Sequence, residues 1–110
     1  MTLNIQFKKG VLELCVLSLL QKGNYYGYEI ASTLVKNINI SDGTVYPILR
    51  RLKQENYVSS YLEESSEGPP RKYYALTQKG LDFLELLKSE WKIFSSQVNR
   101  ICFDRSVPNE

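Results

Sequence analysis

In most of this 110-residue chain apolar residues recur with the helical period of 3.6, but over residues 57–76 they recur with a period of 2. In YVSSYLEE, Val58 and Leu62 share one face, as expected where side chains alternate across a β-strand. In KYYAL, Tyr74 and Leu76 share one face in the same way. The intervening SSEGPP is dense in residues that favour turns. The segment predicts a β-hairpin, and since the patterned segments on both sides are helical, we expect a fold that is mainly α with a small β-hairpin.

The first part of the chain predicts two helices. Residues 10–21 are apolar on nearly all sides, which is typical of a helix buried in a core, and Gly23 follows as a C-terminal cap. A second helix is predicted from about residue 26 to residue 36, because apolar residues recur on one face at helical spacing. Those residues are Ile30, Ala31 and Leu34.

A third helix is predicted within SDGTVYPILRRLKQENY. Ser41 or Thr44 can cap its start. Pro47 cannot donate a backbone hydrogen bond, so we expect a short turn over residues 41–43 and a helix that begins after Thr44, with Pro47 in its first turn. The inward stripe is Val45, Ile48, Leu49 and Leu52. The outward arc is Gly43, Tyr46, Pro47, Arg50, Arg51 and Gln54, with Lys53 at its edge.

The last helix is predicted to begin at Thr77 and to end near Cys102. Apolar residues recur along it at alternating spacings of three and four, the pattern of a helix that packs along another helix. These residues are Leu84, Leu87, Trp91, Phe94, Val98 and Ile101. Since the chain is small, we expect the partner to be a second copy. The predicted organisation is an N-terminal domain over 1–76, a dimerisation helix over 77–103 and a flexible tail over 104–110.

Composition excludes several classes of protein. The chain has no histidine and two cysteines, so the usual zinc sites and Ser-His or Cys-His pairs are missing, and no glycine-rich phosphate loop occurs. We expect no enzyme and no cofactor. Cys15 and Cys102 both read as small buried hydrophobes. No apolar run approaches the roughly twenty residues of a membrane span, and no secretory signal is visible, which predicts a cytoplasmic protein.

The order helix, helix, helix, hairpin, helix is that of a winged helix-turn-helix followed by a C-terminal dimerisation helix. In such a fold the third helix enters the DNA major groove and the hairpin is the wing beside it. Basic side chains on both elements suit phosphates and guanine edges. The predicted DNA-binding residues are Thr44, Tyr46, Pro47, Arg50, Arg51, Lys53, Arg71 and Lys72.

Each of these assignments has a simpler alternative. Arg50 and Arg51 fit solvated helix cations, and Tyr46 fits packing against the wing. Arg71 and Lys72 fit charges that protect an exposed strand edge from aggregation. Trp91 fits packing in the dimer seam, and the alternative there is a stacking surface for a flat ligand.

Four segments together resemble the PadR family of bacterial transcriptional regulators. They are KKGVLELCVLSLL, YYGYEIA, GTVYPILRRLKQENYV and GPPRKYYALTQKG, in family order and spacing. The resemblance extends from about Lys8 to Trp91. A single helix after the wing is similar to the short-tailed subfamily.

The resemblance implies a homodimeric repressor of a nearby operon that is released by a small molecule or another signal. Two-fold symmetry predicts that such a dimer binds a palindromic operator as double-stranded DNA. It places Tyr46 and the basic residues that follow at the DNA, with Arg71 and Lys72 in the wing. In short multidrug-sensing members, a tryptophan of the last helix stacks aromatic drugs between the protomers, and Trp91 matches that position. The acidic cluster of Glu63, Glu64 and Glu67 departs from this picture, since it would repel phosphate and leaves the orientation of the wing open.

Two other functions remain open at this point. A winged helix can serve only for contact with other proteins, because a fold does not determine a function. A carrier of planar aromatic compounds would depend on Trp91 alone. Salt-dependent affinity for duplex DNA discriminates both from a transcriptional regulator.

Overall fold

A computed structural model describes the backbone of residues 5–105 and the side chains of residues 10–105. The elements are α1 (Ile5–Lys22), β1 (Tyr25–Tyr26), α2 (Gly27–Asn37), α3 (Asp42–Gln54), β2 (Val58–Ser65), β3 (Gly68–Leu76) and α4 (Gln78–Phe103). The strands form one antiparallel sheet in the order β1-β3-β2. Most of the tail predicted to be flexible, residues 106–110, lies outside the described residues.

One hydrophobic core joins the three N-terminal helices, the base of the sheet and the start of α4. The apolar faces predicted for the second and third helices are the faces that are buried. α1 is buried or half-buried on most sides, as its composition predicts. The buried apolar residues are Leu12, Val16, Leu17, Leu20, Ile30, Ala31, Leu34, Val45, Ile48, Leu49, Leu52, Val58 and Leu84.

The start of α3 differs from the sequence-based prediction. The helix begins at Asp42 with Ser41 as the N-cap, so Pro47 lies inside the helix instead of in its first turn. The Thr44 amide already donates to the Ser41 carbonyl at 3.1 Å, which closes the predicted turn into the helix. Pro47 leaves the Gly43 carbonyl without its usual donor. Gly43 is exposed, so water can satisfy that carbonyl.

The sheet is larger than predicted. β1 is a strand that sequence reasoning missed, and it pairs Tyr25 with Tyr74 and Tyr26 with Tyr73. The hairpin of β2 and β3, hereafter the wing, extends beyond the alternating segments to pair Ser65 with Gly68. The two prolines of β3 lie beyond its pairing with β1, where a missing N–H breaks no ladder on that side.

α3 and α4 meet at one joint. α3 ends in a turn where Asn56 takes a left-handed φ of 63° and the Tyr57 amide donates to the Leu52 carbonyl at 2.9 Å. The Tyr57 carbonyl then accepts from the Thr77 amide at 3.2 Å and from the Thr77 hydroxyl at 3.0 Å. Thr77 is also the predicted N-cap of α4, and its hydroxyl accepts from the Gly80 amide at 2.9 Å.

Gly80 allows the closest approach in this joint. A Cβ atom added at Gly80 would lie 1.9 Å from the Tyr57 carbonyl oxygen. One turn further along α4, the Phe83 ring stacks on the Tyr57 ring with 4.2 Å between centroids. The joint therefore requires glycine at this position, which the sequence alone did not indicate.

Two smaller findings complete the fold. Both thiols are free; Cys15 is half-buried as expected, whereas Cys102 is exposed, which corrects the prediction that it is buried. Cys102 lies near the end of α4, where the helix has left the body of its own chain. Within residues 5–105, none of the helices combines the length and the apolar composition that a membrane span requires.

We predict that Gly80→Ala destabilises the chain by about 1–3 kcal/mol, because its methyl group must displace the Tyr57 backbone. Thermal unfolding followed by circular dichroism measures this loss. The matched control is Gly10→Ala in α1, where no atom lies within 4 Å of the added Cβ. There the better helix propensity of alanine predicts a gain of about 0.5–1 kcal/mol. A Gly80→Ala chain that unfolds at or above the unmutated temperature would contradict the structure of the joint.

Candidate nucleic-acid interface

The outward side of α3 is open to solvent over its whole length. Val45, Leu49 and Leu52 are completely buried on the opposite side, which fixes the rotation of the helix about its axis. The predicted contact residues on the open side are exposed, with Thr44 half-buried: Tyr46, Pro47, Arg50 and Lys53. The Thr44 hydroxyl lies 3.1 Å from the Ser41 hydroxyl, so it supports the start of the helix as well. These residues form one continuous surface, hereafter the α3 arc.

Tyr46 links the α3 arc to the sheet. Its ring lies close enough to Gly27 that an added Cβ there would be 3.3 Å from it. Tyr46 and Arg50 also both act on Tyr74 of β3. Burial raises the pKa of the Tyr74 phenol, Tyr46 raises it further, and the Arg50 guanidinium lowers it. Tyr46 thus packs beside the wing, as the simpler alternative held, and still exposes 40% of its surface.

Arg51 exposes 46% of its side chain, but its charge is already paired. Its guanidinium forms an ion pair with Glu13 of α1, a carboxylate that is buried in the core. Successive residues of an α-helix are about 100° apart, so Arg51 lies on the flank that faces α1 while Arg50 points outward. This revises the expectation that the two arginines act alike. Sequence reasoning did not identify Glu13 as a functional residue, although a single acid within the apolar segment VLELCVLSLL was a signal.

The two basic residues of the wing are also unequal. Adjacent residues of a strand point to opposite faces, so Arg71 lies on the outer face with Tyr73 while Lys72 lies on the face of Tyr74. The Arg71 guanidinium stacks over the Tyr26 ring at 4.6 Å from its centroid. Its cross-strand neighbour is Glu63. Lys72 is exposed next to it and is the cation of the wing that faces the same side as the residues packed on α3.

This pairing accounts for part of the acidic cluster. Glu63 lies opposite Arg71 and offsets its charge on the outer face. Glu64 and Glu67 are exposed near the turn of the wing, at the register shift between Glu63 and Ser65. The tip of the wing is therefore of mixed charge, whereas the charged residues of the α3 arc, Arg50 and Lys53, are both cations.

Four tyrosines cover the outer face of the sheet. In order along the surface they are Tyr28, Tyr26, Tyr73 and Tyr61, with successive ring centroids 5.7–6.2 Å apart. Burial among these rings, followed by Glu63, raises the pKa of the Tyr73 phenol. Tyr73, which lies on the outer face as predicted, thus packs between Tyr26 of β1 and Tyr61 of β2. The row of four tyrosines connects β2 and β3 to the start of α2.

The second half of α4 projects from the body with its apolar side uncovered. Leu84 is fully buried in the core of its own chain, which corrects its assignment to the dimer seam, and Leu87 is half-buried. From Trp91 onward the predicted seam is exposed. The exposed fractions are 42% for Trp91, 56% for Phe94, 37% for Val98 and 73% for Ile101.

Trp91 lies between two grooves that α4 forms with the N-terminal helices. One, of about 440 Å³, is lined by side chains of α1 and α2, among them Cys15 and Leu34. The other, of about 300 Å³, is lined mainly by Val11, Leu14, Leu87 and Phe94. Both walls are mostly apolar, so they suit a flat hydrophobic group or the side chains of a second protomer.

Two solved structures are similar to this chain over nearly their whole lengths. A PadR-like transcriptional regulator from Bacillus cereus is 40% identical with a TM-score of 0.81, and the match covers 91% of this chain and 99% of that one. A PadR family transcription regulator from Clostridium difficile is 38% identical with a TM-score of 0.74, covering 82% and 96% of the two chains.

Sequence relatives agree with this comparison. The chain is 26% identical over 100 residues to the transcriptional regulator YqjI of Escherichia coli, covering 87% of this chain but only 46% of that longer protein. Residues 16–86, which include α2, α3 and the whole wing, match the Transcriptional regulator PadR-like family. The fold is a winged helix with a C-terminal helix, and the chain belongs to the PadR-like family of DNA-binding transcriptional regulators.

Proposed function

We propose that the chain is a homodimeric repressor that binds a palindromic DNA operator through α3 and the wing. The observation that carries this proposal is the α3 arc, where Arg50 and Lys53 are exposed beside Tyr46 on a helix whose other side is fully buried. A helix held rigidly on one side and basic on the other suits insertion into a major groove. Two-fold symmetry then requires the two copies of α3 to lie roughly 34 Å apart.

The roles of the individual residues follow from their positions. Arg50 points outward and contacts a guanine edge or a phosphate, and Lys53 contacts phosphate at the edge of the arc. Tyr46 contacts a phosphate or a thymine methyl group with the part of its ring that is exposed. Thr44 and Pro47 border the entrance of α3, where a slim surface lets the backbone approach the groove.

The wing contributes through Lys72. It is exposed and has the free charge to meet a phosphate beside the major groove. Arg71 is held by Tyr26 and offset by Glu63, so it contributes less to phosphate contact than the sequence suggests. Because the acidic residues at the tip would repel phosphate, we expect only one face of the wing to contact the DNA.

A module that contacts only other proteins is less consistent with this surface. Such a module needs no row of cations on the open side of α3. Binding of planar aromatic compounds is likewise better placed as an accessory function than as the main one. The grooves beside Trp91 are open, and residues of the exposed apolar side of α4 line them.

We place the dimer interface on the second half of α4. Trp91, Phe94, Val98 and Ile101 present apolar surface that water does not favour, and their spacing suits a second helix. An effector that is planar and aromatic would stack on Trp91 at the grooves beside this interface and alter the distance between the reading helices. Quenching of the fluorescence of Trp91, the single tryptophan of the chain, together with release of operator DNA, tests this role.

We predict that Arg50→Ala weakens operator binding and makes it less sensitive to salt. One lost phosphate or groove contact lowers the slope of log K against log[salt] by about 0.9, because fewer counterions are released. Fluorescence anisotropy with a labelled duplex over a range of salt concentrations measures the slope.

The control for Arg50→Ala is Lys92→Ala, which removes an exposed cation from α4. This variant is expected to keep the slope of the unmutated protein. An Arg50→Ala protein that is folded and dimeric, yet has unchanged affinity and slope, would contradict the assignment of α3 as the reading helix.

We predict that the unmutated chain is a dimer at micromolar concentration and that Phe94→Asp dissociates it. The change removes an aromatic side chain that the proposed dimer buries, which is worth about 3–5 kcal/mol, and puts a charge in the seam. The dimer Kd is then expected to rise by more than about a hundredfold. Sedimentation velocity measures the fraction of dimer.

Ser96→Asp provides the matched control for the dimer. Ser96 is exposed on α4 between Phe94 and Val98 in sequence but on the side of the helix away from the seam. It is expected to leave the dimer intact. A monodisperse monomer of the unmutated chain would refute the interface on α4.

A further inference from the structure

Glu13 is the one buried charged side chain among residues 10–105, with only 6% of its surface exposed. It lies in an α1 segment that is otherwise almost entirely apolar. Removing a carboxylate from water costs several kcal/mol unless a partner compensates it. The Arg51 guanidinium is that partner: it forms an ion pair with Glu13 Oε1, which accepts no hydrogen bond from any of the described residues.

Arg51 is well placed to hold α3 in register on α1. The residues that fasten α3 to the core are aliphatic, among them Ile48 and Leu52, which flank Arg51 on the helix surface. Aliphatic contacts resist separation but tolerate small rotations and slides, because they have no directional preference. The ion pair joins Arg51 to one point on α1, and a rotation or slide that separated the two charges would leave the buried Glu13 carboxylate uncompensated, at a cost of several kcal/mol.

We propose that Arg51 is a positioning residue for DNA binding: through the ion pair with Glu13 it fixes the reading helix on α1, and it does not contact the operator. The proposal rests on the proposed function of the α3 arc. Arg50 and Arg51 then divide two tasks between neighbouring positions of one helix. Arg50 provides the charge that the DNA meets, and Arg51 provides the orientation in which α3 meets it.

The proposal and simple electrostatics predict opposite effects of Glu13→Gln on DNA affinity. Glu13→Gln removes a negative charge from a DNA-binding protein, which on charge alone strengthens binding. If the carboxylate instead anchors α3 through Arg51, the same change weakens binding, by about fivefold or more. Arg51→Met, which keeps the length of the side chain, weakens binding similarly but leaves the salt slope unchanged, because no phosphate contact is lost.

The experiment measures affinity and salt slope for a duplex recovered from a random-sequence pool by the unmutated dimer. The variants are Glu13→Gln, Arg51→Met and the two combined, and each is checked for folding and dimerisation. Since both residues act through one ion pair, the double variant is expected to bind within about twofold of the weaker single variant. Glu85→Gln, an acid-to-amide change on exposed α4 that can still accept from Gln21, is the control and leaves affinity unchanged.

The outcomes separate the two proposals. If the unmutated chain shows no salt-dependent affinity for any duplex, the proposed function fails. If it binds, and Arg51→Met lowers the salt slope by about 0.9, Arg51 contacts phosphate and the positioning role is overturned. Tighter binding by Glu13→Gln overturns it as well. If Glu13→Gln does not fold, the slope of Arg51→Met alone decides.

Discussion

The carbonyl oxygen of Tyr57 is the point on which the arrangement of α3 and α4 depends. It accepts both the amide and the hydroxyl of Thr77, and Gly80 lies against it without a side chain. On the other side, the Tyr57 amide closes the end of α3 by donating to Leu52. One peptide segment is therefore hydrogen-bonded to the last turn of α3 and to the N-cap of α4, and these bonds hold the two helices in one relative orientation.

In the proposed dimer, this constraint relates the packing of the two α4 helices to DNA recognition. α4 leaves the body after Leu87 and exposes its apolar side, so the way in which two copies of α4 pack would set the spacing of the two α3 helices. Tyr57 holds the end of α3 at the joint, and the ion pair of Arg51 with Glu13 holds α3 against α1. The grooves on either side of Trp91 lie between α4 and these same N-terminal helices. A ligand that favoured one packing of α4 over another would act on α3 through these contacts.

The sequence predicted what depends on local periodicity and capping. The buried stripe of α3, the hairpin and the Thr77 cap are all present, because each is specified by neighbouring residues. β1 was missed because a strand of two residues, Tyr25 and Tyr26, is too short to show an alternating pattern. The pairing of Arg51 with Glu13, and the need for glycine at position 80, join positions far apart in sequence. Leu84 was misassigned because a spacing of three and four describes packing on the body of the chain as well as packing on a partner.

The central claim is that a two-fold symmetric pair of α3 helices binds DNA. The most direct measurement is the selection of bound duplexes from a random-sequence pool by the unmutated protein, followed by sequencing. The account predicts an inverted repeat whose half-sites are centred about one helical turn apart or a multiple of it, roughly 10–10.5 base pairs per turn. Recovery of sequences with no shared motif, or of a single motif without two-fold symmetry, would contradict it.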